Sequence, residues 1–348
     1  MSLSWHQATT EISSVSISEY NGYATFSGEQ QAASAPLLVD AEVIYGATRV
    51  PITWASAAQA SIASNTVGSS DSAAITIPKG AWFAVARYLQ CTAGLGFTAV
   101  QPSDISGAGK DVFNFGSSGI TNTVGTGSNP TQSTPATAAN TSFPFAINTT
   151  TTRSTLGIIG DSRARGAITA TATNTSNQFG DSGEIARALR GYGYLNYGVY
   201  GSRLSAWLTT NARQKQELDK CSVIVIQRKI NDITTGATAD TLVSQINAVK
   251  ALFPGKRFII TTTASAGSAD NVTPGAQNAV RNALNTAILG MASSDTVVVD
   301  VASAVETSPG SGIWNTGYSS DFIHPNETAY AAIEASGIWT AAKTSIGA

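Results

Sequence analysis

Apolar and polar residues alternate in short runs over the first 90 residues of the chain. Residues 13–26 alternate on both sides of Asn21-Gly22, and Gly, Pro, Ser and Asp separate this run from the later ones. A period of two predicts β-strands, and an Asn-Gly pair between two such runs predicts a hairpin turn. Further strands are predicted at residues 37–44, 50–54, 73–77 and 82–88. Short strands with frequent turns favour an all-β sandwich, or a jelly roll, over residues 1–153.

Residues 116–153 are crowded with Thr, Ser, Asn, Gly and Pro. A free linker is one interpretation of such a composition. The other is a long loop that packs on the first domain, with a strand within residues 143–147. We favour the second, because apolar residues in a free linker would stay in water at a cost of ~25 cal/mol per Å².

After Arg153 the pattern changes to short apolar runs that alternate with amphipathic helical segments. The predicted strands are residues 156–159, 194–197, 222–227, 257–262 and 296–299. The predicted helices are residues 182–190, 204–220, 238–253, 274–290 and one that begins near Glu327. This alternation predicts an α/β domain over residues 154–348, with a doubly wound parallel sheet covered on both faces. Sites in such sheets lie beyond the carboxyl ends of the strands, where Ser162 and Asn231 are expected.

Composition narrows the classes of partner. Charged residues make up 12% of the chain, against about 25% in an average protein, and the formal net charge is −2. These values give no indication of a nucleic-acid partner. The chain has no run of 18 apolar residues, so no membrane span is expected. No signal peptide is recognisable at the start. The neutral, hydroxyl-rich composition is typical of extracellular, virion or cell-surface proteins, which is the location that we expect.

The two cysteines, Cys91 and Cys221, lie far apart in the sequence. We expect two buried free thiols rather than a disulfide. No group of Cys, His and acidic residues has the spacing of a metal site, so no metal is expected.

Histidine is scarce, and one of the two in the chain lies in a suggestive context. His324 follows Asp321 by three residues, and Gly160-Asp161-Ser162 closes a predicted buried strand. A serine nucleophile near neutral pH needs an imidazole base. Because His6 lies in a region predicted to be at the surface, His324 is the candidate base.

Four segments in order carry the candidate chemistry: residues 160–162, 196–201, 230–233 and 321–326. Their order resembles that of the SGNH (GDSL-type) hydrolases, serine esterases on a flavodoxin-like sheet, over residues 154–348. The resemblance implies Ser162 as the nucleophile, His324 as its general base and Asp321 as the acid that orients it. It also implies an oxyanion hole made of the backbone N–H groups of Ser162 and Gly201 and the amide of Asn231, and it implies no cofactor.

These assignments have structural alternatives. Ser162 can be an ordinary helix cap, Asn231 a turn former and Asp321 a cap of the last helix. Gly198 is an alternative to Gly201 in the oxyanion hole.

The chain also departs from the family pattern. Lys229 stands where the family usually has glycine, two residues before the asparagine. Arg163, Arg165, Arg203 and Arg228 are further basic residues beside the proposed catalytic loops. One interpretation, slightly favoured, is that they pair with local acids such as Asp161, Asp181 and Asp232. The other is that Arg163, Arg165, Arg203 and Lys229 bind an anionic group, such as a uronate or sulfate on an acylated sugar.

The favoured function is hydrolysis of small acyl esters, first of all O-acetyl groups on carbohydrate. One alternative is a lipid, aryl-ester or thioester hydrolase, for which Trp207, Trp314 and Tyr318 could line an apolar cleft. Another is a non-catalytic virion or cell-surface adhesion protein with a degenerate hydrolase fold, which Lys229 favours. The sequence does not indicate an oligomeric state.

The first domain also contains a segment of interest. Residues 69–85 are similar to a Ser-Asp, strand, Pro-x-Gly, strand pattern in secreted SGNH enzymes with an N-terminal sandwich. Trp5, Trp54 and Trp82 are candidates for stacking on sugar rings, although tryptophans at such positions are more often core residues. We expect this domain to dock on the catalytic domain rather than to bind carbohydrate.

Overall fold

The computed structural model describes residues 2–24, 30–32, 35–91, 112–113, 122–128, 141–142, 146–166, 183–267 and 270–347. These residues divide into two compact units, and the boundary lies between Arg153 and Ser154. Residues 143–145 of the predicted strand, together with Asp181 and Ser182, lie outside the described residues.

Antiparallel strands build the first unit. One sheet has the order β11-β1-β10-β5-β6 with β7 beside β5, a second has the order β13-β2-β8 with β9 beside β2, and a third has the order β12-β3-β4. The strands are β1 Ser2–Gln7, β2 Ile12–Tyr20, β3 Gly22–Ala24, β4 Gln30–Ala32, β5 Leu37–Tyr45, β6 Thr48–Ile52, β7 Ala60–Ile62, β8 Val67–Ser69, β9 Ala73–Ile77, β10 Trp82–Cys91, β11 Val112–Phe113, β12 Thr141–Ser142 and β13 Ala146–Asn148.

One apolar core joins the first two sheets. Ile17 of β2 and Ile77 of β9 pack in the same cluster as Val39 of β5 and Val85 of β10. The side chains of alternate strand residues therefore meet between two sheets, as in a sandwich. The prediction of an all-β sandwich is confirmed, while jelly-roll connectivity stays a prediction.

The predicted hairpin at Asn21-Gly22 is wrong. β2 pairs with β8, β9 and β13, whereas β3 pairs with β4 and β12. The buried side chain of Asn21 donates hydrogen bonds to the carbonyls of Ala35 (2.9 Å) and Ile62 (2.8 Å). This amide ties the chain to two distant segments, so the strand that follows leaves β2 instead of returning along it.

The connecting segment packs on the first unit in its described parts. Val124 packs against the outer cluster that contains Leu3 and Ala84, and Asn122 Nδ2 donates to Asp40 at 2.7 Å. β13 adds a strand beside β2. Among the candidate sugar-stacking residues, Trp54 lies in the core, which excludes it from that role.

The second unit contains a parallel sheet with the strand order β15-β14-β16-β17-β18. Numbered along the chain this is 2-1-3-4-5, the flavodoxin-like order, so the predicted fold is confirmed. The strands are β14 Thr155–Ile159, β15 Gly193–Asn196, β16 Val223–Ile226, β17 Arg257–Thr261 and β18 Thr296–Val299. The helices are α1 Ser162–Arg165, α2 Leu204–Thr210, α3 Ala212–Leu218, α4 Ile230–Thr234, α5 Ala239–Ala251, α6 Asn278–Leu289, α7 Val301–Val305, α8 Glu327–Ala335 and α9 Thr340–Ser345.

Helices cover the sheet because its strands are apolar on both faces. Leu156 and Ile158 of β14 pack in the cluster that includes Tyr330 of α8 and Ala342 of α9. Gly157, between them, faces Leu218 of α3. Successive strand residues therefore contact opposite layers. The parallel pairing of β14 with β16 places the carboxyl ends of these two strands beside each other.

Two predicted helices differ from the structure. Residues 204–220 form two helices that break at Asn211, whose side chain donates to the carbonyl of Leu208 at 3.0 Å and so competes with the helical backbone. Residues 184–190 form turns. Within these turns the backbone N–H of Leu189 donates to the carbonyl of Ile185 at 3.0 Å. Gly183, at φ +103, lies outside the helical region, and a Cβ there would lie 2.6 Å from the carbonyl oxygen of Ala164.

Three other sequence expectations can be compared with the described residues. Cys221 is a buried free thiol whose pKa is raised to about 11 by burial, while the side chain of Cys91 lies outside the described part. Among the described residues, no helix combines the length and apolar character that a membrane crossing requires. His6 is half-buried on β1 rather than at the surface, and burial lowers its pKa to about 4.

The contact between Gly157 and Leu218 gives a test of the packing between sheet and helix. A Cβ at Gly157 would lie 2.4 Å from Leu218 Cδ2. We expect Gly157→Ala to destabilise the second unit by about 1–3 kcal/mol through overpacking, and Leu218→Ala to destabilise it by about 2–5 kcal/mol through a cavity. The double variant should lose less stability than the sum, because the new methyl group enters the cavity. Calorimetry of the full chain measures all three, and strict additivity would contradict this packing.

Candidate active site

Ser162 lies on a tight turn at the carboxyl end of β14. The strand ends at Ile159, and Ser162 is the first residue of α1. A Cβ on Gly160 would lie 2.2 Å from Ala164 Cβ, so this turn requires glycine. Asp161 caps the helix by accepting the backbone N–H of Arg163 at 2.9 Å. The turn thus presents the serine at the edge of the sheet where sites form.

The loop of residues 321–324 lies immediately before α8. Asp321 Oδ1 accepts the backbone N–H groups of Ile323 (2.9 Å) and His324 (2.8 Å). Phe322, with φ +57, is in the left-handed region, which is uncommon for a bulky residue. This local turn brings the carboxylate and the imidazole of residues three apart to the same side.

The structure brings these two segments together. Ser162 Oγ lies 2.8 Å from His324 Nε2, and His324 Nδ1 lies 2.6 Å from Asp321 Oδ2. Ser162 is 5% exposed, and the side chain of His324 is 23% exposed. The hydroxyl, imidazole and carboxylate therefore form one continuous hydrogen-bonded chain at the edge of the sheet.

The carboxylate of Asp321 is held in its charged form. Partial burial raises its pKa, but hydrogen bonds from the His324 ring and from the N–H groups of His324 and Ile323 outweigh this and leave the pKa below its usual value. A charged carboxylate favours the tautomer in which Nδ1 carries the proton. Nε2 is then the acceptor for the serine hydroxyl, as a general base requires.

The implied oxyanion donors lie on neighbouring turns. Asn231, in α4, follows β16, and its Nδ2 donates to the carbonyl of Ser202 at 2.9 Å. Gly201, next to Ser202, has φ +67, and Ser202 Oγ donates to the carbonyl of Gly160 at 3.2 Å. The three segments that contain Ser162, Gly201 and Asn231 are thus linked by hydrogen bonds.

Gly198, the alternative to Gly201, has a different task. Its backbone N–H already donates to Asn196 Oδ1 at 2.8 Å. A Cβ at this position would lie 2.7 Å from the backbone nitrogen of Arg165. The glycine therefore permits close packing on α1, and its N–H is engaged within its own turn.

Two of the basic residues considered for substrate binding are interior. Arg163 and Lys229 are 1% and 0% exposed. The Arg163 guanidinium donates to the carbonyls of Ile323, Ala264 and Ser265. We therefore correct the prediction that Arg163 and Lys229 bind substrate, because neither charged group is accessible.

The structure shows only part of the expected pairing between these basic residues and the local acids. Buried Arg228 donates to the carbonyls of Gly160 and Tyr197, both at 2.9 Å. Asp232 accepts the backbone N–H groups of Leu204 (2.7 Å) and Ser205 (3.1 Å) at the start of α2. Most charges around the site thus bind backbone groups, which fixes the loops.

Arg165 and Arg203 are half-buried. The guanidinium of Arg165 lies 5.4 Å from the centre of the Tyr200 ring, and burial lowers the pKa of this guanidinium. A role of these two residues in substrate binding stays a prediction.

The backbone of Lys229 is not in the left-handed region that favours glycine, since its φ is −156°. Its Nζ donates to the carbonyl of Ile226 at 3.1 Å, at the carboxyl end of β16. Burial lowers the pKa of Lys229 to about 8, against the attraction of Glu184.

Sequence reasoning missed Glu184 and Gln227. Burial raises the pKa of Glu184 to about 7, and the nearby positive charge of Arg163 opposes this rise. Gln227 Oε1 accepts the backbone N–H of Asp161 at 2.8 Å. Glu184 lies in a segment with a helical pattern, and Gln227 ends an apolar run, so neither showed a recognisable signal.

Within the ranges that the structure describes, no three His, Cys, Asp or Glu residues lie close enough together to hold a metal ion. The arrangement of Ser162, His324 and Asp321 suits nucleophilic attack on a carbonyl carbon, with donors nearby for a developing oxyanion.

Solved structures similar to this chain share about half of its length. A lipase/acylhydrolase from Enterococcus faecalis is 16% identical, with 54% of this chain and 94% of that chain covered and a TM-score of 0.40. A carbohydrate esterase family 3 protein from Talaromyces cellulolyticus is 16% identical, with 55% and 98% covered and a TM-score of 0.38. Est24, a carbohydrate acetylesterase from Sinorhizobium meliloti, is 11% identical, with 55% and 100% covered and a TM-score of 0.37. A search of curated proteins finds no match.

A family model identifies the second unit. The model of the GDSL-like Lipase/Acylhydrolase family matches residues 158–332, a stretch that begins in β14, ends in α8 and includes Ser162, Asn231, Asp321 and His324. It covers half of the chain, and the protein therefore belongs to the GDSL-like lipase/acylhydrolase family.

Proposed function

We propose that this protein is a serine esterase that hydrolyses small acyl esters through an acyl-enzyme on Ser162. The observation that carries the proposal is the hydrogen-bonded chain from Ser162 Oγ through His324 to Asp321, with distances of 2.8 and 2.6 Å. A non-catalytic role would not require a hydroxyl, an imidazole and a carboxylate in this order.

In the first half of the reaction, Ser162 Oγ attacks the ester carbonyl and His324 Nε2 accepts its proton. Asp321 stabilises the imidazolium across Nδ1. The tetrahedral oxyanion accepts hydrogen bonds from the backbone N–H groups of Ser162 and Gly201 and from Asn231 Nδ2. As the ester C–O bond breaks, His324 returns the proton to the leaving alcohol.

In the second half, water replaces the alcohol. His324 accepts a proton from the water as its oxygen attacks the acyl carbon, and the same donors stabilise the second oxyanion. His324 then protonates Ser162 Oγ as the acid leaves. Apart from the substrate and water, each step uses groups of this chain, so the proposal includes no cofactor.

Burial of two indoles favours a short acyl group. The side chains of Trp207 and Trp314 are 0% and 1% exposed. Of the three aromatic residues that could line an apolar cleft, only Tyr318 is half-buried, and it packs against the core. Two of the three side chains that could line a cleft for a long acyl chain are therefore inaccessible, which disfavours the lipase alternative.

The carbohydrate part of the proposal rests on the hydroxyl-rich composition and the β-sandwich. We propose O-acetyl groups on carbohydrate as the first substrate class, and an extracellular, virion or cell-surface location follows from the same composition. The first unit is proposed as residues 1–153 and the catalytic unit as residues 154–348.

The nucleophile has a direct test. A fluorophosphonate probe should label Ser162 in the folded wild type, and Ser162→Ala should abolish labelling and lower kcat by about 10⁴-fold or more, because the attacking hydroxyl is gone. Ser336→Ala, at the exposed end of α8, is the control and should keep both. Mass spectrometry locates the label. A folded wild type that resists the probe would show that the site is idle.

The oxyanion hole has a separate test. Asn231→Ala should lower kcat by about 10²–10³-fold with a smaller change in KM, because the amide acts mainly on the tetrahedral intermediate. Asn282 of α6 also donates from its amide to a carbonyl, that of Gly310 at 2.8 Å. Asn282→Ala is thus a matched control that should keep kcat. Equal losses in the two variants would remove Asn231 from the oxyanion hole.

Acyl-chain preference is tested with p-nitrophenyl esters from acetate to octanoate. We expect kcat/KM to be highest for acetate and to fall with chain length, because Trp207 and Trp314 are buried. Release of acetate from acetylated polysaccharides, compared between the wild type and Ser162→Ala, tests the carbohydrate class. A steady rise towards octanoate would instead support the lipid-ester alternative.

A further inference from the structure

Arg163 directly follows Ser162, the candidate nucleophile, and is buried, with 1% of its surface exposed. Its guanidinium donates to three backbone carbonyls: Nε to Ile323 at 2.9 Å, Nη1 to Ala264 at 2.8 Å and Nη2 to Ser265 at 2.6 Å. The same group lies 5.7 Å from the centre of the Trp314 ring. A single side chain therefore joins the turn after β14 to the segment after β17 and to the loop before α8.

The loop that carries His324 depends on such anchors. Trp314 Nε1 and the backbone N–H of Gly267 both donate to the carbonyl of Phe322, each at 2.8 Å. Arg163 binds the next carbonyl, that of Ile323. Two successive carbonyls of the loop are thus held by interior donors, although the side chain of Ile323 is exposed.

The two contacts across the site run side by side. Residue 162 bonds to residue 324 through the hydroxyl and the imidazole, and residue 163 bonds to residue 323 through the guanidinium and the carbonyl. Because each pair consists of chain neighbours, the second hydrogen bond limits how far the imidazole can move from the hydroxyl. The direction of the Arg163 guanidinium is fixed by the two further carbonyls that it binds.

We propose that Arg163 is a positioning residue that holds the imidazole of His324 at hydrogen-bond distance from Ser162. The inference rests on the proposed function and adds the element that keeps base and nucleophile in register. Arginine suits the task because its donors form a rigid planar fork, whereas the single ammonium group of lysine cannot reach three carbonyls in these directions. Arg163 does not touch the reacting atoms.

Kinetics of Arg163→Lys and Arg163→Gln test the proposal. We expect kcat to fall by about 100-fold, as a misplacement of about 1 Å can cause, while KM stays within about threefold. Arg281→Lys is the matched control. Arg281 is 2% exposed and binds the carbonyl of Thr263 and the carboxylate of Glu306. It should lose comparable thermal stability and keep kcat.

A spectroscopic measurement separates positioning from stability. The chain has two histidines, so nitrogen NMR of the imidazoles should show two sets of signals. The His6→Gln variant identifies the set that belongs to His6. Arg163→Gln should shift the His324 signals and leave those of His6 in place, whereas Arg281→Lys should leave both in place. Unchanged His324 signals and an unchanged kcat in a folded Arg163 variant would overturn the inference.

Two safeguards keep the test decisive. If both Arg163 variants fail to fold, Trp314→Phe removes the neighbouring donor to the Phe322 carbonyl, and it should lower kcat with little change in KM; a wild-type kcat there would overturn the positioning model. If the wild type itself is inactive, the proposed function fails, but the NMR comparison still reports whether Arg163 fixes the His324 ring.

Discussion

A serine hydroxyl passes its proton to an imidazole only while the two heavy atoms stay within hydrogen-bond distance. Here the two groups come from turns that are 162 residues apart along the chain, and they lie 2.8 Å from each other. Much of the surrounding structure meets this requirement. Gly160 makes the first turn tight, the left-handed Phe322 shapes the second, and buried arginines bind carbonyls of both.

Several cationic side chains are buried around the site, and their hydrogen-bond partners stabilise them there. Arg163 and Arg228 act mainly through backbone carbonyls, which provide partial negative charge in fixed positions. Lys229 and Glu184 lie near each other, and burial shifts their pKa values in opposite directions. Burial disfavours the charged form of each of these two groups, and their mutual attraction opposes this effect.

Sequence reasoning was strong where a local pattern decides the structure. β18 lies where the apolar run 296–299 predicts it, and the alternation of strands and helices predicted the parallel sheet. The flavodoxin-like strand order was implied by the family resemblance. Sequence reasoning failed where distant partners decide, since Asn21 bonds to Ala35 and Ile62 instead of closing a hairpin. It also missed the local break at Asn211, whose side chain bonds to the carbonyl three residues earlier. For the site, Ser162, Asp321 and His324 could be placed from the order of motifs. The partners of Arg163 could not, because Ala264, Ser265 and Ile323 become neighbours only in the folded sheet.

The order of the segments along the chain has a consequence for assembly. All five strands of the parallel sheet precede residue 300, whereas the imidazole comes at residue 324. During synthesis, Ser162 therefore leaves the ribosome well before the imidazole that lies beside it in the folded chain. The loop with His324 is followed by α8 and α9, whose Tyr330 and Ala342 pack against the sheet, so the same stretch of chain completes both the cover of the sheet and the hydrogen bond to the serine.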